Sequence, residues 1–239
     1  MTHPYQLGTF VKTASPHVIE VLGTTRLDFV VADAEHAPLD RQMLDLMVMA
    51  GRAAGLPVFI RIAELNPAVI LSALDIGAAG LLVPHVDSAA QAREVMAMAR
   101  YVGGTRGYSG SPRFARYGSL GMKEALRVGD EARILCQIES ESGVREAEAI
   151  AAVPGVGGLF VGRADLALSM GLDNPRDPRV LEATTHVLAT ARAAGITAGM
   201  HVSGNAERDQ FAALGADWFV VSSDQTLLRQ AAQAIAHPE

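Results

Sequence analysis

Short apolar runs alternate along the chain with longer stretches in which apolar residues recur every three or four positions, the spacing of an amphipathic helix. The runs at 8–12, 29–32, 58–62, 80–83, 134–138, 159–161, 197–200 and 218–221 predict eight strands, with helices filling the gaps. Strand and helix recur at roughly 30 residues per unit, which predicts a (β/α)8 TIM barrel. Local chemistry agrees: Ser15-Pro16 and Asn66-Pro67 each pair an N-cap with a proline at the first helical position, and Gly55 and Gly195 end the helices before strands three and seven. Nothing between Leu7 and Ile235 has the composition of a linker, so one domain over 1–239 is expected.

Parallel strands joined by right-handed crossovers bring their carboxyl ends to one edge, where the functional face of such a barrel lies. The residues there are polar: Asp33, Glu35 and His36 after strand two, Arg61 on strand three, His85 after strand four, Gln137 and Glu139 on strand five, Gly162 to Asp165 after strand six, His201 on strand seven, and Ser222 to Asp224 after strand eight. Alternation places Leu135, Gln137 and Glu139 on one face of their strand and Ile134, Cys136 and Ile138 on the other. Glu139 and Asp165, at the ends of two successive strands joined by a helix predicted at 140–152, suit a hard divalent cation such as Mg²⁺ or Mn²⁺, with Co²⁺ a third candidate; the other reading is that each caps a helix. Arg61 shares a face with Phe59 and points inward, where it needs an anionic partner: Asp33, Glu35, or the carboxylate or enolate of a substrate. His36 follows Asp33 closely enough for that carboxylate to orient the ring as a general base requires. His85 and His201 also fall at strand ends, whereas His3, His17, His186 and His237 lie in termini or on helices and read as solvated. The glycine-rich stretch 102–119, with Arg106, Arg113 and Arg116, predicts a lid or a subunit contact and contains no nucleotide-binding loop.

Composition narrows the class. Of 239 residues 49% are hydrophobic, enough for a large core, and Cys136 alone excludes an intrachain disulfide and reads as core packing. A formal charge of −6 without a basic stripe argues against a nucleic-acid partner. The opening MTHPYQLG has neither the charge nor the apolar stretch of a signal peptide, and no run approaches the length of a membrane span. A soluble cytoplasmic protein, with no membrane partner, is expected.

The segments DFVVADAEHAPLD, PVFIRI, SALDIGAAGLLVPHVDSAAQA, RYVGGTRGYSG, QIESESGV and GLFVGRADLALSMGL, in this order, make the chain resemble the metal-dependent (class II) pyruvate aldolases of the phosphoenolpyruvate/pyruvate barrel superfamily. Those enzymes cleave 4-hydroxy-2-oxo acids and 2-dehydro-3-deoxyglucarate to pyruvate or a close 2-oxo acid and an aldehyde through a metal-stabilised enolate. The resemblance implies a divalent metal on Glu139 and Asp165, Gln137 beside it, Arg61 facing the keto oxygen, and His36, oriented by Asp33, moving protons. It also implies support from Glu35 and from Asp75, the latter from a neighbouring subunit, and a pyruvate carboxylate held by amides of Gly162, Ala164 and Asp165. Hexamers in which the last helix, 227–236, exchanges between subunits are implied as well. Two departures stand out: Arg163 replaces a proline, and its charge is expected to project toward the rim or an adjoining subunit; His85 replaces an apolar residue. With only Lys12 and Lys123 in the chain, Lys12 at the end of strand one is the conceivable site of a Schiff base. The alternatives are an acyl-CoA lyase of the citrate or malyl-CoA type, which would usually be longer, and a non-catalytic barrel that binds a 2-oxo acid.

Overall fold

The computed structural model describes residues 5–236. His3 and His237 lie outside them. Eight parallel strands close into a barrel in sequence order: β1 (Gln6–Val11), β2 (Phe29–Asp33), β3 (Val58–Arg61), β4 (Gly80–Val83), β5 (Arg133–Ile138), β6 (Gly158–Val161), β7 (Thr197–Val202) and β8 (Trp218–Ser223). Around them run α1 (Pro16–Gly23), α2 (Arg41–Ala54), α3 (Pro67–Asp75), α4 (Ala89–Ala99), α5 (Met122–Gly129), α6 (Glu141–Arg145), α7 (Ala147–Ala151), α8 (Arg163–Ser169), α9 (Pro178–Ala193), α10 (Asn205–Ala213) and α11 (Asp224–Ala236). Each predicted strand is present, with ends shifted by one or two residues. The helix predicted at 140–152 is instead two short helices, broken at Glu146, whose backbone (φ −94°, ψ 0°) leaves the helical region.

Helix starts follow the chemistry of their caps. Asp40, Asn66, Ser88 and Ser140 each accept a first-turn amide proton, whereas Ser15 makes no side-chain cap and Pro16 alone pre-sets the start of α1. Gly55 takes the left-handed conformation (φ 69°) that ends α2.

Alternation along the strands divides the core in two. Outward residues such as Val58, Ile60, Ile134, Cys136 and Ile138 pack beneath the helices, while Phe10, Phe29, Val31, Phe59, Leu82, Leu135, Phe160, Trp218 and Val220 fill the barrel. Trp218 stacks on Phe29 with ring centroids 3.9 Å apart and meets Phe59 and Phe160 edge-on at 5.3 and 5.9 Å. These rings fit because each lies across a glycine of the adjacent strand: Phe29 pairs in register with Gly8, Phe59 with Gly80 and Phe160 with Gly199. A Cβ on those glycines would stand 2.2, 2.6 and 2.9 Å from the rings. The polar layer above this aromatic floor is the site.

The stretch 102–119 is not a lid. Arg106 is buried, pairs with Asp75 at 2.8 Å, donates to the Gly129 carbonyl and lies over Tyr101 and Phe114. Arg113, also buried, reaches Asp45 at 2.7 Å and the Ile76 carbonyl at 2.9 Å. These contacts dock the segment on α2, α3 and α5, on the flank of the barrel. The sequence pattern shows the arginines but not that their partners lie on the scaffold. At the other extreme, α11 is anchored by buried Asp224, which accepts the amide protons of Lys12 and Thr13, while Leu228 and Ile235 further along are 72% and 83% exposed. Among the described residues no helix is long and apolar enough to cross a membrane.

The ring-over-glycine arrangement predicts that Gly8→Ala destabilises the fold by ~1–3 kcal/mol through overpacking, lowering the calorimetric melting temperature by several degrees.

Candidate active site

The inner faces of β2 and β3 end in an ion pair. Asp33 is wholly buried and accepts from Arg61 twice, Nε to Oδ1 at 2.9 Å and Nη2 to Oδ2 at 2.7 Å. Its Oδ1 also accepts the backbone N–H groups of Glu35 and His36, both at 3.2 Å, and Lys12 Nζ stands 3.2 Å from Oδ2. Burial alone would raise the Asp33 pKa, but the Arg61 hydrogen bonds and charge, then the His36 amide and Lys12, outweigh it and hold the carboxyl below its ordinary value. The remaining terminal nitrogen of Arg61, Nη1, lies 3.1 Å from Glu35, and the guanidinium sits 4.6 Å above the Phe10 ring. Both ion pairs open to Arg61 from its sequence are therefore made. One N–H on each terminal nitrogen stays available to a ligand.

Across the mouth, Glu139 and Gln137 extend the inner face of β5, and both are buried. Glu139 does not cap the next helix; Ser140 does, accepting the Gly143 amide proton at 2.9 Å. Glu139 Oε1 instead accepts the His85 amide proton at 2.8 Å, and Oε2 accepts from the Gln137 side-chain amide. Burial, reinforced by the like charge of Asp165, pushes the Glu139 pKa up against those hydrogen bonds. Asp165 lies in the first turn of α8, whose N-terminus has no side-chain cap, and lines the cleft with Gln137 and Arg61. Gly162 makes this approach possible, since a Cβ there would come within 2.8 Å of Glu139 Oε2. The Gly162 N–H donates to the Ile138 carbonyl, so it is not available to a substrate carboxylate as the sequence suggested; the glycine provides clearance instead.

A metal ion would find a limited donor set. Among the described residues no cluster of three or more His, Cys, Asp or Glu side chains is arranged to hold one. Two carboxylates are present, however, and beside them the buried Gln137 Oε1 has no hydrogen-bond partner among the described residues. Hard oxygen donors with several positions left over suit a cation of the Mg²⁺ type, which keeps waters and substrate oxygens in its shell.

Two placements, those of His36 and Arg163, differ from expectation, and that of Asp75 leaves open only a role in a neighbouring subunit. His36 meets Asp33 only through its backbone; its ring Nε2 is 3.7 Å from Glu35, because the Asp33 carboxylate is already taken by Arg61. Asp75, at the far end of a helix that returns from the mouth, pairs with Arg106 and does not join the cleft of its own subunit. Arg163 does not project freely: its guanidinium lies 2.7 Å from Glu207 and 4.8 Å from the Phe211 ring centre, folded against α10. Two strand-end histidines complete the rim. His85, held at φ 56°, bridges Glu139 (2.9 Å) and Glu35 (3.2 Å) through its two ring nitrogens. Desolvation at the mouth and the nearby Arg163 charge push the His201 pKa down to about 4, although the residue keeps an exposed edge.

The family described as HpcH/HpaI aldolase/citrate lyase matches residues 6–231. The chain belongs to that family. A 5-keto-4-deoxy-D-glucarate aldolase from Klebsiella pneumoniae is 38% identical over 98% of this chain and 92% of its own. A hydroxypyruvate/pyruvate aldolase from Chromohalobacter salexigens is 37% identical over 94% and 89%. Among solved structures, an HpcH/HpaI aldolase/citrate lyase family protein from Burkholderia cenocepacia J2315 superposes with a TM-score of 0.90 at 32% identity, over 98% of this chain and 95% of that one.

In this aldolase the sequence reading named Glu35 as a support and a partner for Arg61 but missed its contacts with His36 and His85, and named Lys12 only as a conceivable Schiff-base site, not as a partner of Asp33. Lys12 had a signal, since it continues the inward face of Gly8 and Phe10. The raised Glu139 pKa carries a sign. A carboxyl whose folded-state pKa lies above its unfolded value contributes stability below the unfolded value and loses it as pH rises through the folded one. Glu139→Gln should therefore stabilise the metal-free aldolase by ~0.5–2 kcal/mol at about pH 8, a few degrees by calorimetry, with little gain at about pH 4.

Proposed function

We propose that the chain is a divalent-metal-dependent lyase that reversibly cleaves 4-hydroxy-2-oxo acids to pyruvate, or a close 2-oxo acid, and an aldehyde. The observation that carries the reading is one cleft lined by Asp165, a preorganised Arg61 and Gln137, whose Oε1 is unpartnered among the described residues, with the buried Glu139 carboxylate bonded to Gln137 and near Asp165. The names of the relatives point the same way, one for a deoxy-keto-glucarate and one for hydroxypyruvate and pyruvate. Held by Glu139 and Asp165, the ion would act as a Lewis acid toward the 2-oxo acid. Mg²⁺ and Mn²⁺ fit this donor set best, and Co²⁺ is a third candidate.

The chain's own residues supply the rest. The Ala164 and Asp165 amides open α8 toward the cleft and suit the pyruvate carboxylate. Gln137 and the free N–H groups of Arg61 orient the 2-keto oxygen, and Arg61 stabilises the negative charge it gains. His36, its ring open to the cleft and beside Glu35, takes the 4-hydroxyl proton. The C3–C4 bond then breaks, its electron pair passes into the 2-keto group, and protonation at C3 yields pyruvate. Glu35 takes the supporting part that sequence had given to Asp33, while Asp33 fixes Arg61. Asp75 would reach a cleft only from a neighbouring subunit, and the exposed apolar side of α11 fits a seat on another copy, in keeping with a hexamer.

The direct test is NMR of pyruvate in deuterium oxide. Its methyl protons should exchange with Mg²⁺ or Mn²⁺ present and stop exchanging in chelator. A 2-oxo acid binder without catalysis would not exchange them, and borohydride trapping of pyruvate with full activity in chelator would replace the metal reading with a Schiff base on Lys12. His36→Ala should lower kcat for cleavage by about 10²–10⁴-fold while changing pyruvate affinity by less than about threefold, since a base acts in the transition state.

A further inference from the structure

The first turn of α8 carries Asp165 at the edge of the cleft, and little within the helix holds it there. Gly162, the N-cap, has no side chain to cap the helix, and α8 is only seven residues long. Its buried side chains, Leu166 and Ala167, come after Asp165, while Ala164 and Asp165 are themselves exposed. Among the described residues, Arg163 is the side chain of this turn that forms an ion pair with another helix. Although it stands at the rim, that side chain is only 11% exposed. Its Nη2 lies 2.7 Å from Glu207 Oε1 and 3.5 Å from the His201 carbonyl oxygen, with the buried Phe211 ring beneath the guanidinium. Glu207 is fixed from its other side as well: Oε2 accepts the Ser203 amide proton at 2.7 Å and the Ser203 hydroxyl proton at 3.0 Å. Burial alone would raise the Glu207 pKa, but the Ser203 amide and then Arg163 outweigh it and hold the carboxyl below its ordinary value. Arg163 thus joins the start of α8 to a charged group already built into the junction of β7 and α10.

We infer that Arg163 is a positioning residue: its clamp on Glu207 ties the first turn of α8 to α10 and so holds Asp165 where a divalent cation needs it. The inference rests on the aldolase reading above and deepens it. Asp165 follows Arg163 by two residues within one helical turn, so loosening the clamp loosens the carboxylate with it. Charge separates this role from plain electrostatics. The Arg163 guanidinium repels a cation, so if charge alone mattered, removing it would tighten metal binding. Loss of a clamp has the opposite sign. Glu207→Gln also breaks the clamp, and combining it with Arg163→Met returns the net charge to that of the wild type without returning the contact.

The test measures Mn²⁺ binding, from the electron paramagnetic resonance of the free ion, in the wild type, Arg163→Met, Glu207→Gln and the double variant. Hydrogen exchange of the Leu166 amide, which donates to the Gly162 carbonyl at 3.0 Å, is followed in the metal-free proteins. Each single change should weaken Mn²⁺ binding by about tenfold, the lower end of what a supporting contact contributes to a metal site. The double variant should stay within about threefold of either single one, because both remove the same contact. Leu166 should exchange about tenfold faster in all three. Arg163→Lys, which keeps the charge and a donor, should recover part of the affinity. Tighter or unchanged Mn²⁺ binding in Arg163→Met overturns the inference, as does a double variant with wild-type affinity. Should Arg163→Met fail to fold, Glu207→Gln decides through Leu166, and an unchanged exchange rate there overturns the clamp. Absence of pyruvate methyl exchange in a wild-type enzyme that binds Mn²⁺ marks failure of the aldolase reading alone, whereas a wild type that binds no Mn²⁺ overturns both.

Discussion

The ion pair between Asp33 and Arg61 is the constraint on which the mouth of this barrel depends. Asp33 has no exposed surface and Arg61 almost none, so each would cost several kcal/mol to bury alone. The bidentate contact, two backbone amides and Lys12 offset that cost only as a complete set. Removing one member leaves a buried charge uncompensated, typically ~3–5 kcal/mol. This all-or-none character orients the guanidinium rigidly, with Phe10 beneath it and Glu35 beside it. The pair thus ties the aromatic interior to the polar rim and presents the remaining Arg61 N–H groups in one direction.

Charge is distributed unevenly around that rim. Asp33 and Glu35 are matched by Arg61 and Lys12. Among the described residues Glu139 and Asp165 have no lysine or arginine paired with them; Glu139 has the neutral Gln137 and the bridging His85. A cation entering the cleft therefore meets one side already neutralised and one side short of positive charge. An anion meets the reverse.

The barrel was legible because strand alternation and helix spacing are properties of the chain itself, and the strand-end census found most of the residues that meet in the cleft. Partner choice was less legible. Sequence proximity put Asp33 beside His36, yet the strand ends with Asp33 pointing inward to Arg61 of the next strand while His36 turns out into the loop. A cross-strand register decided that pairing, not local spacing. Arg106 and Arg113 were misread as lid residues for the same reason, since Asp45, Asp75 and Gly129 come together only in three dimensions. Arg163 was taken as exposed because nothing in its neighbourhood announces Glu207 on α10.

The interlocking of rings with glycines in the barrel floor bears on how such a chain can be inherited with variation. Phe29 with Gly8, Phe59 with Gly80 and Phe160 with Gly199 each behave as one hereditary unit, because enlarging the glycine or shrinking the ring alone leaves a clash or a void. Two simultaneous changes are far rarer than one, so the floor resists drift. Ser203, Thr226 and Gln230 border open space and can change singly. Descendants of such a chain would be expected to diverge in what they accept at the rim long before they diverge in what the barrel is built on.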